Sequence, residues 1–528
     1  MSSPHKPTDE QQAIIDAVAQ TQSNLMISAY AGTAKSTTLE MAAPFVKGPA
    51  LALAFNKKIA TELQSRLPDN FKAQTLNSIG HGAWIRALNR PTIKLDGQKL
   101  GKLVTAIAKD HKAQLLDWQW DCIRQATSDA MKAGISPNDQ GSPLFADTPE
   151  NWRDVIEVPT SDDFEFIYKL AHAVLQANVD TARAGQISFD DQICCPTILG
   201  GAWPRYPTTF VDESQDLSPL NHQMLTLTST GRIVAVGDPR QAIYLFRGAD
   251  ANSMKNMRTI RPQWTDLSLT MTFRCPKAIV ARQQDHAPGF TAHSSNATGQ
   301  FLHLPHTDYG SEGDGGYDHK SLLKVASDIN ANFIAIVCRN NAPLVNMAFK
   351  LIRSGVGCQM LGRDIGTGLI RLVSRLEKSD ATPILKFSET LTKWLDTECA
   401  LAQANNKPER SDKLTDQAEC LRATIEGSSP TTVGELKLIL TRIFSRESGS
   451  IILSSVHRAK GLEWPVVLHL DPWRIPSKQA KMAAQSGDYS HLEQEYNLRY
   501  VCETRTKHTL IAADMRDYGT NGANGANS

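Results

Sequence analysis

The feature that most constrains the fold is a repeated alternation of short apolar runs with amphipathic segments of helical period. In the first part of the chain, NLMISAYA and ALALAF are each followed by a helical pattern, KSTTLEMAAPFV and KKIATELQSRL. Strands that are apolar along their whole length are typical of parallel sheets covered by helices on both faces. The same kind of run returns at TTFVDE and GRIVAVGD, then at FIAIVCR, SIILSS and PVVLHL. The pattern predicts two α/β units.

Two long charged blocks with helical periodicity interrupt this alternation. A chain of 528 residues has room for roughly three to four domains, so we interpret these blocks as insertions. The predicted organisation is a first α/β domain at 1–83 plus 185–275, its helical insertion at 84–184, a second α/β domain at 276–365 plus 450–516, its helical insertion at 366–449, and a disordered tail at 517–528.

Composition excludes several classes of protein. The formal net charge of +1 argues against coating nucleic acid by charge alone, although a local basic groove needs only a few well-placed cations. The nine cysteines show no C-x-x-C spacing, which argues against a zinc or iron–sulfur framework. No apolar run reaches the roughly 18 residues of a membrane span, and the start of the chain lacks an apolar signal core. We therefore expect a cytoplasmic, intracellular protein without a membrane partner.

The segment ISAYAGTAKSTT lies where a phosphate-binding loop must lie, between a strand and a helix. The usual pattern is G-x-x-x-x-G-K-[ST]. Here Ala29 and Ala34 occupy the two glycine positions, while Lys35 and Ser36 keep the cation and the hydroxyl. Taken alone, the segment fits a nucleotide loop and an ordinary strand–turn–helix about equally well.

The acidic pair Asp212 and Glu213 directly follows a buried strand pattern. Acidic residues at the carboxyl end of a parallel strand lie at the edge of the sheet where ligands bind. Asp212 can hold a magnesium ion, and Glu213 can deprotonate an attacking water. The alternative is a solvated turn, which is common for a single acidic pair.

A third polar cluster follows the strand pattern RIVAVGD. Gln241 is placed to sense a γ-phosphate, and Tyr244, Phe246 and Arg247 alternate aromatic and basic side chains. Such a mixture suits base stacking and phosphate contact in single-stranded nucleic acid. The alternative is that the two aromatic residues are ordinary core residues.

Taken in order, these motifs resemble those of the superfamily 1A DNA helicases, the UvrD/Rep-like group. The resemblance covers nearly the whole chain. Its segments are PTDEQQAI, AYAGTAKST, ALAFNKKIA, AQTLNSIGHGAW, VDESQD, GDPRQAIYLFRGA, LTMTFRCP, SSVHRAKGLEWPVV and EQEYNLRYVCETRTK. It implies an α/β fold of two RecA-like parallel-sheet P-loop domains, each with a mainly α-helical insertion.

The resemblance also implies roles for individual residues, with ATP and Mg²⁺ as cofactors. The implied catalytic residues are Lys35, Glu213, Gln241, Arg274 and Arg505, the two arginines acting as arginine fingers. The implied nucleotide-binding residues are Gln11, Ala31, Gly32, Thr33, Ala34, Lys35, Ser36, Thr37, Phe273 and Glu463, with Ser36 and Asp212 on the metal. The implied DNA-binding residues are Phe55, Asn56, Thr75, Asn77, Tyr244, Phe246, Arg247, Ser455 and His457.

The function implied by the resemblance is an ATP-dependent DNA helicase that moves 3′ to 5′ on single-stranded DNA. Its partners would be single-stranded DNA and single-strand/duplex junctions, with protein partners at the helical insertions. The setting would be DNA repair, recombination or replication. Two alternatives stay open: a translocating motor subunit of a larger complex without unwinding of its own, and a nucleotide-dependent DNA-binding switch with weak ATPase. The sequence leaves RNA open as a substrate.

Three departures from the family pattern bear on the rate of the implied ATPase rather than on the fold. The first is the pair of alanines in the phosphate loop. The second is Asn77, which stands where relatives frequently carry histidine. The third is Tyr496 and Asn497, which stand where relatives often carry arginine.

Overall fold

The protein consists of two compact α/β units. The computed structural model describes residues 6–517, except for 55, 157, 159–162, 244–251, 305–317, 405–407, 446–448 and 488. The division between the units falls between Thr270 and Met271. Each unit contains a six-stranded sheet whose neighbouring strands pair in parallel. The predicted class, a pair of parallel α/β domains with added helices, is therefore confirmed.

The first unit has its main sheet in the strand order β3-β2-β6-β7-β1-β8, and β4 pairs with β5. Its strands are β1 (Asn24–Ala29), β2 (Ala50–Ala54), β3 (Phe71–Thr75), β4 (Lys94–Leu95), β5 (Gln186–Ile187), β6 (Tyr206–Val211), β7 (Ser229–Gly237) and β8 (Trp264–Leu269). Its helices are α1 (Asp9–Gln20), α2 (Lys35–Ala42), α3 (Lys57–Arg66), α4 (Leu76–Ala87), α5 (Lys99–Asp110), α6 (Asp117–Ala133), α7 (Pro149–Val155), α8 (Phe164–Arg183), α9 (Asp191–Leu199), α10 (Pro219–Thr228) and α11 (Ser253–Asn256).

The main sheet of the first unit is covered on both faces, as its apolar strands predict. Successive side chains of a strand point to opposite faces. Leu25 and Ile27 accordingly pack in one core cluster with helices α1, α2 and α3, whereas Met26 packs in another with α4 and α10. The carboxyl ends of the strands are left at one edge, where the connecting loops carry the polar motifs.

The helices α5 to α8 of the first insertion share a buried core with α9 and α10. Trp152 and Ile167 are fully buried in it. A buried ion pair ties this insertion to α9, because Lys99 Nζ lies 2.8 Å from Asp191 Oδ2 and both side chains are almost inaccessible. The Asn178 amide also donates to Asp191. A buried charge of this kind is tolerated only when it is paired and hydrogen-bonded. These contacts therefore fix the positions of α5, α8 and α9 relative to one another.

The second unit has its main sheet in the strand order β11-β16-β15-β12-β14-β13, and β9 pairs with β10. Its strands are β9 (Met271–Thr272), β10 (Thr291–Ala292), β11 (Gln300–Leu304), β12 (Ile334–Cys338), β13 (Cys358–Met360), β14 (Ile451–Ser455), β15 (Trp464–Leu470) and β16 (Thr506–Ala513). Its helices are α12 (Lys277–Arg282), α13 (His319–Asp328), α14 (Ala342–Arg353), α15 (Arg363–Leu376), α16 (Ile384–Ala404), α17 (Pro408–Ser428), α18 (Val433–Ser445), α19 (Val456–Ala459), α20 (Lys478–Gln485) and α21 (Ser490–Glu503). Within the described ranges, no helix combines the length and the apolar character that crossing a membrane requires.

The helices of the second insertion share their core with the second sheet. Phe387 of α16 and Leu421 of α17 belong to the same buried cluster as Ile336 of β12 and Leu453 of β14. Asp416 of α17 also accepts hydrogen bonds from the first backbone N–H groups of α14, which caps that helix. This insertion is therefore packed as part of the second unit's core. The predicted tail at 517–528 lies outside the described residues except for Asp517.

Candidate nucleotide and nucleic-acid site

The predicted phosphate loop connects the carboxyl end of β1 to the start of α2. Ala29 ends the strand and Lys35 begins the helix, so Tyr30 to Ala34 form the loop, and Ser36 and Thr37 lie in the first helical turn. The Thr33 hydroxyl donates to the carbonyl of Tyr30 at 2.9 Å. The first N–H groups of a helix lack partners within the helix and attract anions. A strand, a loop and the N-terminus of a helix thus follow one another at the predicted phosphate loop.

Ala34 has left-handed backbone geometry, with φ of +59°, at a position where the usual motif has glycine. A non-glycine residue in this region costs about 1 kcal/mol because its Cβ crowds the backbone. We expect Ala34→Gly to raise the free energy of unfolding by about 1 kcal/mol, measured by thermal or urea denaturation. Ala31→Gly is the matched control, because Ala31 is fully buried and is not among the residues with positive φ. The control should destabilise the protein, and destabilisation by Ala34→Gly would contradict the strain argument.

The loop and the predicted acidic pair lie together in the first unit. Strand β6 ends one residue before Asp212, and its carboxyl end is at the same sheet edge as that of β1. The Ser36 hydroxyl donates to Asp212 Oδ2 at 2.6 Å, and Lys35 Nζ donates to Glu213 Oε2 at 3.0 Å. Four residues from two distant parts of the sequence thus form one polar cluster, which we call the phosphate-loop cluster.

The phosphate-loop cluster is short of positive charge. Burial, first of all, and then the neighbouring Glu213 carboxylate raise the pKa of Asp212 to about 6, although Lys35 and the Ser36 hydrogen bond act in the opposite direction. Burial alone would lower the pKa of Lys35, but the carboxylates of Glu213, Asp238 and Asp212 outweigh it and raise that pKa above its usual value. One lysine facing three acidic groups leaves the cluster suited to binding a cation.

Two residues that the motifs did not single out complete the cluster. Asp238 follows β7 and is fully buried; burial raises the pKa of its carboxyl. The Gln241 amide donates to Asp238 Oδ2 at 2.6 Å, the Asp238 N–H donates to Gln215 Oε1 at 3.0 Å, and the Gln215 amide donates to Glu213 Oε2 at 2.6 Å. This chain of hydrogen bonds connects Gln241 to Glu213. The signal in the sequence was an acidic residue directly after the apolar run RIVAVG.

Gln11 is almost fully buried against the helix that follows the phosphate loop. Its amide nitrogen donates to Thr38 Oγ1 of α2 at 3.1 Å. Its amide oxygen accepts from the N–H of Thr8, the residue that caps α1. This predicted nucleotide-binding side chain is thus hydrogen-bonded within the first unit.

The second unit brings together a predicted catalytic residue, Arg274, and a predicted nucleotide-binding residue, Glu463. Arg274 Nε lies 2.5 Å from Glu463 Oε2, and Lys507 pairs with the other oxygen of the same carboxylate. The ring of Phe273 is 42% exposed and lies with its centroid 5.0 Å from that of His293. An aromatic face of this exposure is available for stacking.

Arg505 is buried at the end of α21. Its Nε donates to the carbonyl of Val501 at 3.0 Å, and its guanidinium also contacts the carbonyl of Leu462. A buried guanidinium needs such acceptors. In this geometry the predicted arginine finger donates to backbone carbonyls of its own unit.

Three predicted DNA-binding residues lie at helix starts. Asn56 caps α3 and Thr75 caps α4, and the preceding strands β2 and β3 are neighbours in the first sheet. Ser455 ends β14 and precedes α19, which contains His457. Helix N-termini at the carboxyl edge of a parallel sheet favour phosphate.

Asn77 lies in the first turn of α4, next to the cap. Its amide nitrogen donates to the carbonyl of Phe189 at 3.2 Å and to Gln192 Oε1 at 3.1 Å. The remaining predicted DNA-binding residues lie outside the described residues: Phe55, Tyr244, Phe246 and Arg247.

The fold and the phosphate-loop cluster define a class of protein. A parallel sheet, a loop from strand to helix with lysine and serine, and an acidic pair after another strand are the arrangement of P-loop nucleotide-binding proteins. The family profile described as the UvrD/REP helicase N-terminal domain matches residues 8–260. The profile described as the UvrD-like helicase C-terminal domain matches residues 374–516. The chain belongs to the UvrD/REP-like family of superfamily 1A helicases.

Similarity to individual proteins extends over nearly the whole chain. The F-box DNA helicase protein 1 of Schizosaccharomyces pombe is 24% identical over 96% of this chain and 57% of its own length. The F-box DNA helicase 1 of Gallus gallus is 23% identical over 97% of this chain and 49% of its own length. The ATP-dependent DNA helicase PcrA of Leuconostoc citreum is 20% identical over 94% of this chain and 80% of its own length. The chain thus spans about half the length of the two F-box relatives.

Proposed function

We propose that this chain is an ATP-dependent motor that moves 3′ to 5′ along single-stranded DNA and separates strands at junctions with duplex. The observation that carries the proposal is the convergence of Lys35, Ser36, Asp212 and Glu213 in one cluster, within a chain of the UvrD/REP-like family. The relatives named as DNA helicases support DNA as the substrate. The proposed setting is DNA repair, recombination or replication inside the cell, with protein partners at the helical insertions.

The phosphate-loop cluster suggests how hydrolysis begins. Lys35 is paired with Glu213, and the phosphates of a bound ATP would compete for the lysine. Once Lys35 turns to phosphate, Glu213 is released to accept a proton from the attacking water. Gln241, which connects to Glu213 through Asp238 and Gln215, would transmit the presence of the γ-phosphate. The bound nucleotide would also be contacted by four residues of the second unit: Arg274, Arg505, Phe273 and Glu463.

Ser36 and Asp212 have the chemistry of a magnesium site. Magnesium in nucleotide sites takes oxygen ligands from one or two side chains and from the phosphates, and the Ser36 and Asp212 oxygens lie 2.6 Å apart. Burial and the neighbouring Glu213 raise the pKa of the Asp212 carboxyl, and a divalent cation would stabilise its ionised form. When bound, magnesium would neutralise charge on the β- and γ-phosphates.

Magnesium affinity is expected to fall below pH 6. The metal binds the ionised carboxylate, and a carboxyl with a pKa of about 6 is mostly protonated at pH 5. Between pH 7 and pH 5 the apparent affinity should drop about tenfold, as measured by magnesium titration of nucleotide binding at each pH. Asp212→Asn should bind magnesium weakly at both values, which separates Asp212 from the titration of ATP itself. An equal pH response in the variant would contradict this role for Asp212.

The function is tested by assays of ATP hydrolysis and strand displacement. We expect single-stranded DNA to stimulate ATP hydrolysis and a duplex with a 3′ tail to be unwound, while a duplex with a 5′ tail is not. Stimulated hydrolysis without unwinding would favour a motor subunit of a larger complex. Nucleotide-dependent DNA binding without turnover would favour a switch. Equal stimulation by RNA would extend the substrate class.

A further inference from the structure

We infer that the two asparagines at neighbouring helix starts of the first unit contact different chemical groups of the bound strand. Asn77 accepts a hydrogen bond from an N–H group of a base, whereas Asn56 donates one to a phosphate. This inference rests on the proposed function and refines it, because it assigns base contact and backbone contact to separate side chains.

Asn77 presents only a hydrogen-bond acceptor. A primary amide has two N–H donors and one carbonyl oxygen. Both donors of Asn77 are used, one on the carbonyl of Phe189 and one on Gln192 Oε1. Within the part of the chain that the structure describes, Asn77 Oδ1 has no hydrogen-bond partner and is not a buried atom. The oxygen is the group left to meet a ligand.

The orientation of the Asn77 amide is fixed by its surroundings. The carbonyl of Phe189 can only accept, so the NH₂ group must face it. Phe189 and Gln192 are held in place at the start of α9 by Asp191, which accepts from the N–H of Ser188 and forms the buried ion pair with Lys99. Turning the amide over would place its oxygen against the Phe189 carbonyl and lose both hydrogen bonds.

Asn56 presents the opposite group. Its oxygen caps α3 by accepting from the N–H of Ile59 at 2.9 Å. Its amide nitrogen has no partner among the described residues and the residue is exposed. Phosphate oxygens accept hydrogen bonds but cannot donate them, and the N-terminus of α3 adds a favourable dipole. Asn56 is thus suited to phosphate.

The same reasoning excludes phosphate as the partner of Asn77. An amide oxygen facing a phosphate oxygen would be repelled rather than bound. Single-stranded DNA offers donors on its exposed base edges, such as the N3–H of thymine. In RNA the ribose 2′-hydroxyl offers a further donor. The shared chemistry is a hydrogen-bond donor of the nucleotide, and for DNA we assign it to the base.

The test compares oligo(dT) with the same oligonucleotide carrying N3-methylthymine, in which a methyl group replaces the one N–H of the base and stacking is kept. The unsubstituted, nucleotide-free chain should bind oligo(dT) about fivefold more tightly than the methylated strand, because one neutral hydrogen bond contributes about that factor to affinity. Asn77→Ala should abolish that preference. Asn56→Ser, which keeps the helix cap, should weaken binding of both oligonucleotides equally and leave the preference intact.

A second pair of strands separates the two possible donors. If the 2′-hydroxyl is the partner, oligo(U) should bind about fivefold more tightly than oligo(dU), and Asn77→Ala should remove that difference; this outcome would overturn the assignment to the base. An Asn77→Ala variant that lowers affinity for every strand by the same factor would overturn the inference altogether. Stoichiometric titration gives the active fraction of each variant, so a loss of folded protein does not imitate a loss of affinity. Failure of the unsubstituted chain to bind single-stranded DNA would instead contradict the proposed function.

Discussion

Replacing Glu213 by glutamine is expected to slow ATP hydrolysis by about 10²–10⁴-fold, the usual contribution of a general base, while ATP still binds. Glutamine has nearly the same shape and can still accept from the Gln215 amide. It cannot take a proton from water. The change therefore removes the proposed chemistry and leaves the packing of the phosphate-loop cluster in place.

The Lys35–Glu213 pair adds a second expectation for the same variant. In the unsubstituted chain, Glu213 holds Lys35 and competes with the phosphates for it. The neutral amide competes less well, so ATP should bind at least as tightly to Glu213→Gln. Single-turnover hydrolysis with single-stranded DNA measures the first effect, and equilibrium binding of a fluorescent ATP analogue measures the second.

A matched control for this variant is Glu62→Gln on α3. Glu62 is exposed, and among the described residues it pairs only with Arg66 on the same helix, so its substitution should leave hydrolysis unchanged. If Glu213→Gln hydrolyses ATP at a rate similar to that of Glu62→Gln, Glu213 is not the base. A parallel loss of ATP affinity and of hydrolysis would point to a binding role instead.

The fold was predictable because its signals are local. Apolar strands such as the one that ends at Val211 are visible in short stretches of sequence, and the structure confirms that strand. The packing of the second insertion was not predictable in this way. An amphipathic pattern indicates that Phe387 and Leu421 are buried, but it does not indicate that they share a core with the sheet.

The candidate site likewise has features that local sequence predicts and features that depend on contacts between distant segments. The motifs place Lys35 and Asp212 at strand ends, and their order along the chain indicates that they belong together. The partners of each side chain depend on rotamers and on contacts between distant segments. The chain of hydrogen bonds through Gln215 and Asp238 and the orientation of the Asn77 amide therefore required the structure.

The other prediction with a large effect concerns Lys35→Ala, which is expected to lower kcat/KM for ATP by about 10³-fold. Loss of one preorganised donor to a developing charge costs about 10²–10³-fold, and here the lost donor is also a cation. Its removal leaves the carboxylates without the positive charge of Lys35, which interacts favourably with all three: Asp212, Glu213 and Asp238. The pKa of Asp212 should then rise above its present value of about 6.

DNA binding by the same unit serves as the control that Lys35→Ala is folded. Asn56 and Thr75 lie after β2 and β3, away from the loop that follows β1, so Lys35→Ala should still bind single-stranded DNA without nucleotide. Lys109→Ala, an exposed substitution on α5, should leave both activities unchanged. Lys35→Arg keeps the charge but not the compact ammonium geometry, and we expect it to retain more ATP affinity than Lys35→Ala without recovering hydrolysis. DNA-stimulated hydrolysis near the unsubstituted rate in Lys35→Ala would mean that another cation holds the phosphates, and the phosphate-loop cluster would then not be the catalytic site.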